Sequence, residues 1–148
     1  MATDKTNQQI KLKDGRMLGY AEYGAPEGKP VFYFHGFPSS RLDWPLFDTD
    51  AIAARLNARI IAVDRPGMGL SDFKRARKLL DWPDDVIELA DALQVDRFAV
   101  LGISGGWTIC GGVRLQDPPA LDCNHRCLRH GPLRGARSQG WNSHATLR

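Results

Sequence analysis

No stretch of this 148-residue chain has the apolar length that a membrane span needs. The opening residues, Met1-Ala2-Thr3-Asp4-Lys5-Thr6-Asn7-Gln8-Gln9, lack the apolar centre of a signal peptide, so a cytoplasmic location is the expectation. Cysteine is scarce: there are three, an odd number, and without a sign of secretion this speaks against a disulfide framework. Lysine is absent from residues 107–148, where the acids are reduced to Asp117 and Asp122. Residues 1–106 carry 14 Lys+Arg against 15 Asp+Glu, whereas 107–148 carry six Arg against those two Asp, so the net charge of +3 belongs to the tail alone. A nucleic-acid partner would need that tail as its basic patch, and none is expected. Internal repeats and low-complexity segments are lacking too. What remains, 43% hydrophobic and 25% charged, is the composition of one globular domain with a sizeable core.

The first 106 residues alternate strand-like and helix-like text. Gln9-Ile10-Lys11-Leu12-Lys13 alternates polar and apolar, Asp14-Gly15 is a hairpin turn signal, and residues 17–24 read as the returning strand. Val31-Phe32-Tyr33-Phe34 is a short apolar strand, a helical segment is expected over residues 47–56, and residues 59–64 form another buried strand. Asp81 is a candidate N-cap before Trp82-Pro83. Val86, Leu89, Ala90 and Leu93 then repeat at i, i+3, i+4 and i+7, one apolar face of a helix. Asp84, Asp85, Glu88 and Asp91 are expected on its solvated face. Phe98-Ala99-Val100-Leu101 is the last buried strand. Alternation of this kind implies a mostly parallel α/β sheet, covered on both faces, with an antiparallel N-terminal hairpin.

Directly after that strand stands Gly102-Ile103-Ser104-Gly105-Gly106, a G-x-S-x-G pattern. A serine at the top of a tight strand-to-helix turn needs neighbours without Cβ atoms, because the backbone runs close to adjacent elements. Its hydroxyl then projects outward, and the next amide can face a developing oxyanion. Two further motifs precede it, His35-Gly36-Phe37-Pro38 and Asp64-Arg65-Pro66-Gly67-Met68-Gly69-Leu70-Ser71, each ending a strand.

Together the three motifs make residues 10–106 resemble the N-terminal half of an α/β-hydrolase-fold enzyme, of the group that carries H-G-x-P and D-R-P-G-x-G-x-S. The resemblance implies that Ser104 is the nucleophile and that the backbone amides of Phe37 and Gly105 form the oxyanion hole. It implies that His35 braces the oxyanion loop, and is not the catalytic base. Asp64 would fix the loop after its strand. Gly36, Pro38, Arg65, Gly102 and Gly106 complete the motifs. A serine at the elbow implies ester-type hydrolysis of a small molecule without a cofactor. Epoxide hydrolases and dehalogenases of this fold carry an aspartate there. Trp44 and Phe47 either line an acyl pocket or pack in the core.

After Gly106 the likeness stops. A helix of small apolar residues is expected next, but Trp107-Thr108-Ile109-Cys110-Gly111-Gly112-Val113-Arg114 contains helix-breaking glycines, and residues 122–130 have no amphipathic period. Residues 107–148 are therefore set apart as an atypical, disordered tail, and a shifted reading frame would explain it. With one nucleotide dropped, the Trp107 codon must give glycine and that of Gln116 lysine or arginine. The codons of Asp122, Asn124 and His125 then give isoleucine or threonine, and those of Cys123 and Cys127 valine or alanine, a strand composition. DNA downstream of the Gly106 codon, read in all frames, tests this. A stop in the alternative frame before the Cys127 position would refute it.

The competing reading of the tail is a zinc site built from Cys110, Cys123, Cys127 and His130, but Cys-x3-Cys-x2-His is not a strong zinc spacing. The family supplies its acid and base from loops after later strands, in the order Ser, Asp or Glu, His. Asp117, Asp122, His125, His130 and His144 are candidates by order alone. The expectation is thus a serine hydrolase cut short of its triad, inactive as it stands. A non-catalytic binding module of the same fold is the alternative.

Overall fold

The computed structural model describes residues 5–106 and 126–128. Its elements are β1 (Gln8–Lys11), β2 (Met17–Gly24), β3 (Lys29–Phe34), a 3-10 helix (Arg41–Phe47), α1 (Thr49–Arg55), β4 (Ala58–Val63), a 3-10 turn (Leu79–Asp81), α2 (Trp82–Ala92), β5 (Arg97–Gly102) and β6 (Arg126–Leu128). One sheet takes them in the order β1-β2-β4-β3-β5-β6. The central β4, β3 and β5 are parallel, while β1–β2, β2–β4 and β5–β6 pair antiparallel. Among the described residues, no helix is long and apolar enough to cross a membrane.

Period-two alternation in the strands builds two cores. Phe32, Phe34, Ile61 and Val63 face one side, where Trp82, Val86, Leu89 and Ala90 of α2 cover them. The intervening Tyr33, Ile60 and Ala62 face the other side and meet Trp44 and Ala53. Rings of neighbouring elements lock these layers: Phe32 and Phe98 lie 4.4 Å apart, Phe34 meets Trp82 edge-on at 5.5 Å, and Tyr33 meets Trp44 at 4.9 Å. Each buried large side chain contributes about 1.5–3 kcal/mol of transfer free energy. Trp44 thus packs in the core. The Phe47 side chain lies outside the described residues.

The structure departs from the sequence reading at four places. The helix expected over 47–56 is split, because Asp48 adopts a left-handed φ of 56° between the 3-10 helix and α1. Asp81 stands at the N-cap position of α2, as expected, but its side chain makes no cap hydrogen bond there. Its carboxylate accepts the Lys78 amide at 3.0 Å and so closes the preceding 3-10 turn. Asp85 is not solvated but buried, where the Arg16 guanidinium grips both its oxygens at 2.6 and 3.2 Å. Glu88, half-buried, accepts the Lys13 amide at 2.8 Å, while Asp84 and Asp91 are exposed as expected. Within the tail, residues 126–128 form a strand that pairs with Arg97, Phe98 and Ala99, so β6 covers only the first half of β5 and Leu101 stays exposed. The remainder of the tail reading, including Cys110, Cys123, His130, the Cys127 side chain and the acid and base candidates, lies outside the described residues.

Candidate active site

Register brings the three motifs to one end of the sheet. Phe34 pairs with Val63 on one side and with Gly102 on the other, so the residues that follow each strand emerge side by side at the carboxyl edge of the parallel strands. In open α/β sheets that edge is where ligands bind.

Ser104 sits on the turn after β5 with φ at 52°, a left-handed conformation that costs a non-glycine residue about 1–3 kcal/mol. The turn is closed by Gly106 N–H donating to the Ile103 carbonyl at 2.8 Å and anchored by Ile103 N–H on the Phe34 carbonyl at 3.2 Å. Gly106 must be glycine, because a Cβ there would run into the Phe34 carbonyl oxygen and stand 3.0 Å from that of His35. Ser104 itself is exposed.

The oxyanion-loop candidate lies opposite. A Cβ on Gly36 would sit 3.4 Å from Ser104 Cβ and 3.9 Å from its Oγ. Phe37, 72% exposed, follows, with a cis peptide to Pro38. Among the described residues, neither the Phe37 amide nor the Gly105 amide donates to a protein acceptor.

Behind this loop, His35 is fully buried. Its Nδ1 lies 2.8 Å from the Gly36 carbonyl oxygen, and its Nε2 accepts the Arg65 amide at 3.3 Å. Nε2 as acceptor puts the proton on Nδ1, which donates to Gly36. Burial holds the imidazole pKa below its ordinary value, and the Arg65 charge adds to that. With both nitrogens engaged, His35 has none to offer Ser104, and it is the histidine of residues 5–106.

Asp64 directly follows β4 and has no exposed surface. Its Oδ1 accepts the Arg41 amide at 2.7 Å, and its Oδ2 accepts Arg41 Nη1 and the Leu70 amide, both at 2.8 Å. The Ser71 hydroxyl donates to the Asp64 carbonyl at 2.8 Å and accepts the Gly19 amide at 2.9 Å. Gly69, at φ 54°, has to lack a Cβ because one would strike the Asp64 carboxylate. Arg65, 7% exposed, donates from Nη2 to the Gly36 carbonyl at 2.7 Å. Arg41 is the residue that motif reading missed. It also holds Thr6 O and Asn7 Oδ1, and no periodicity marks an arginine that buries.

A tight turn that carries a serine directly after a strand, at the carboxyl edge of a mixed sheet whose central strands are parallel, defines an α/β-hydrolase-type domain. Comparison with known proteins carries the assignment further. A model of the alpha/beta hydrolase family matches residues 31–144, past the point where the composition changes. This chain belongs to that family. It is 32% identical over 112 residues to a non-heme chloroperoxidase from Streptomyces lividans, an alignment covering 74% of this chain and 40% of that protein. An esterase from Exiguobacterium antarcticum superposes with a TM-score of 0.60 at 25% identity, over 74% of this chain and 40% of that one. An epoxide hydrolase from Vigna radiata superposes with a TM-score of 0.65 at 23% identity, over 76% and 36%, a likeness of fold. The chain therefore spans well under half the length of these relatives.

Proposed function

We propose that this chain carries the nucleophile and the oxyanion hole of an ester-hydrolysing site. Ser104 is the nucleophile, and the Phe37 and Gly105 amides receive the oxyanion. The observation that carries this is the left-handed φ of Ser104, held beside Gly36 with those two amides uncommitted. A serine attacks an acyl carbon once a base takes its proton, and amide donors then stabilise the tetrahedral oxyanion. An aspartate at this position, as an epoxide-opening enzyme of this fold would carry, is absent. The substrate is a small ester, and cytoplasmic residence belongs to the same proposal.

The described residues supply no base, since His35 is spent on Gly36 and Arg65. That favours one alternative, a binding module of the same fold that leaves Ser104 idle. Exposure of Ser104 lets one experiment separate the two. Hydrolysis of p-nitrophenyl acetate is followed for the 148-residue chain and Ser104→Ala, with and without added imidazole as a surrogate base. The chain alone is expected to show no Ser104-dependent turnover. Imidazole is expected to raise a component that vanishes in Ser104→Ala. Ser104-dependent turnover without imidazole would show that the chain has its own base, and identical rates under both conditions would refute the proposal.

A further inference from the structure

Among the described residues, Arg65 is a buried cation without a counter-ion. Its side chain makes one hydrogen bond, to the Gly36 carbonyl, and its buried Nε has no partner. No Asp or Glu forms an ion pair with it among the described residues, whereas the buried or nearly buried Arg41 and Arg16 each have an aspartate. Burying an unpaired charge is costly, so a structural role alone would be better served by an apolar side chain. Burial, with the like charge of Arg77, lowers the Arg65 pKa from its ordinary value, and it stays a cation at neutral pH.

The geometry around Gly36 shows what the charge does. Gly36 O accepts two hydrogen bonds from the buried side, Arg65 Nη2 at 2.7 Å and His35 Nδ1 at 2.8 Å. The Arg65 amide closes the ring by donating to His35 Nε2. The Gly36–Phe37 peptide is planar and trans, so its N–H points away from its carbonyl. A carbonyl clamped from behind leaves the Phe37 N–H facing the open side, where Gly36 already turns its α-carbon to Ser104. The guanidinium also polarises that peptide and strengthens Phe37 as a donor.

We propose that Arg65 is a positioning residue of the oxyanion hole, clamping the Gly36 carbonyl so that the Phe37 amide is fixed and polarised toward the oxyanion. The proposal rests on the ester-hydrolysing reading of Ser104 and Phe37. It accounts for a buried arginine that no acid among the described residues neutralises. It further requires that the clamp act through charge as well as shape, so lysine should replace arginine in part and methionine should not.

Two measurements on the full chain test it, and they fail separately. The first is the Phe37 15N amide resonance in Arg65→Met and Arg65→Lys. It is expected to move in the Met variant, part of the way in the Lys variant, while amides in the middle of β4 stay in place. A Phe37 resonance at the wild-type position in Arg65→Met would overturn the proposal. Should that variant not fold, Arg65→Gln, which keeps a donor and drops the charge, is read the same way. The second is the imidazole-dependent, Ser104-dependent hydrolysis. It is expected to fall about tenfold in Arg65→Met at unchanged KM, less than the 100-fold or more that loss of a whole oxyanion donor costs, and to recover partly in Arg65→Lys. An unchanged rate beside a moved resonance would also overturn it. A wild-type chain with no Ser104-dependent rate even in the presence of imidazole would refute the hydrolase reading, leaving the Phe37 resonance to decide on the clamp.

Discussion

Arg41 Nη1 stands 2.8 Å from Asp64 Oδ2, and both side chains are withdrawn from solvent. The pair ties the segment after β3 to the end of β4, so the two loops flanking the elbow share one anchor. Removing one partner of a buried pair leaves the other charge uncompensated and costs about 3–5 kcal/mol. Asp64→Ala is expected to lose that much in urea unfolding, since the Arg41 amide, Arg41 Nη1 and the Leu70 amide lose their acceptor together. A loss below about 1 kcal/mol, the level of a solvent-exposed pair, would show that the anchor is dispensable.

Ser104 and Gly106 should respond to substitution in opposite directions. Ser104→Gly relieves a left-handed residue and is expected to raise stability by roughly 1 kcal/mol while abolishing any Ser104-dependent chemistry. Gly106→Ala forces a methyl into the Phe34 and His35 carbonyls and is expected to destabilise. Thermal unfolding of both variants decides. Equal or lower stability for Ser104→Gly would mean that the turn stores no strain.

Much of this architecture was legible in the sequence because it rests on local rules. Alternation in residues 31–34 and 59–63 revealed the two-faced strands, and Asp14-Gly15 the hairpin, with Gly15 at φ 90°. The motif glycines marked where backbone approaches backbone. Long-range charge pairing was hidden. Asp85 follows Asp84 in an acidic helix turn, and only its partner Arg16, 69 residues away, explains why it is buried. Arg41 was hidden for the same reason, its partner Asp64 lying just past the end of β4. The N-cap position of Asp81 is legible from the proline and helix that follow, whereas the turn of its carboxylate back to Lys78 is not.

The Asp85–Arg16 pair makes its own test. It joins the β1–β2 hairpin to α2, with side chains 5% and 13% exposed. Asp85→Ala is expected to cost about 3 kcal/mol or somewhat more, because a bidentate, nearly buried guanidinium loses its acceptor. Asp84→Ala, one residue away and exposed, should stay within about 0.5 kcal/mol of wild type, as surface substitutions do. Matching losses for the two variants would contradict the burial of Asp85.

Acid should loosen the oxyanion loop through His35. Its folded pKa lies below the ordinary 6.5, first because burial disfavours the imidazolium and second because Arg65 repels it. Unfolded, the same imidazole takes up its proton near 6.5, so below that pH the unfolded chain binds more protons than the folded one. Stability through this group is therefore complete above 6.5, falls as pH drops from 6.5 toward the folded value, and falls no further beneath it. Protonation also puts a hydrogen on Nε2, against the Arg65 amide that it accepts, and so opens the ring that clamps Gly36. His35→Asn keeps a side-chain donor for Gly36 but cannot titrate. The difference in urea midpoint between wild type and His35→Asn, followed from pH 7.5 downward, isolates this contribution from the other titrating groups. The wild-type advantage is expected to be constant above pH 7 and to shrink below 6.5. An advantage independent of pH down to 5 would mean that His35 takes up no proton differentially, and that the clamp is insensitive to acid.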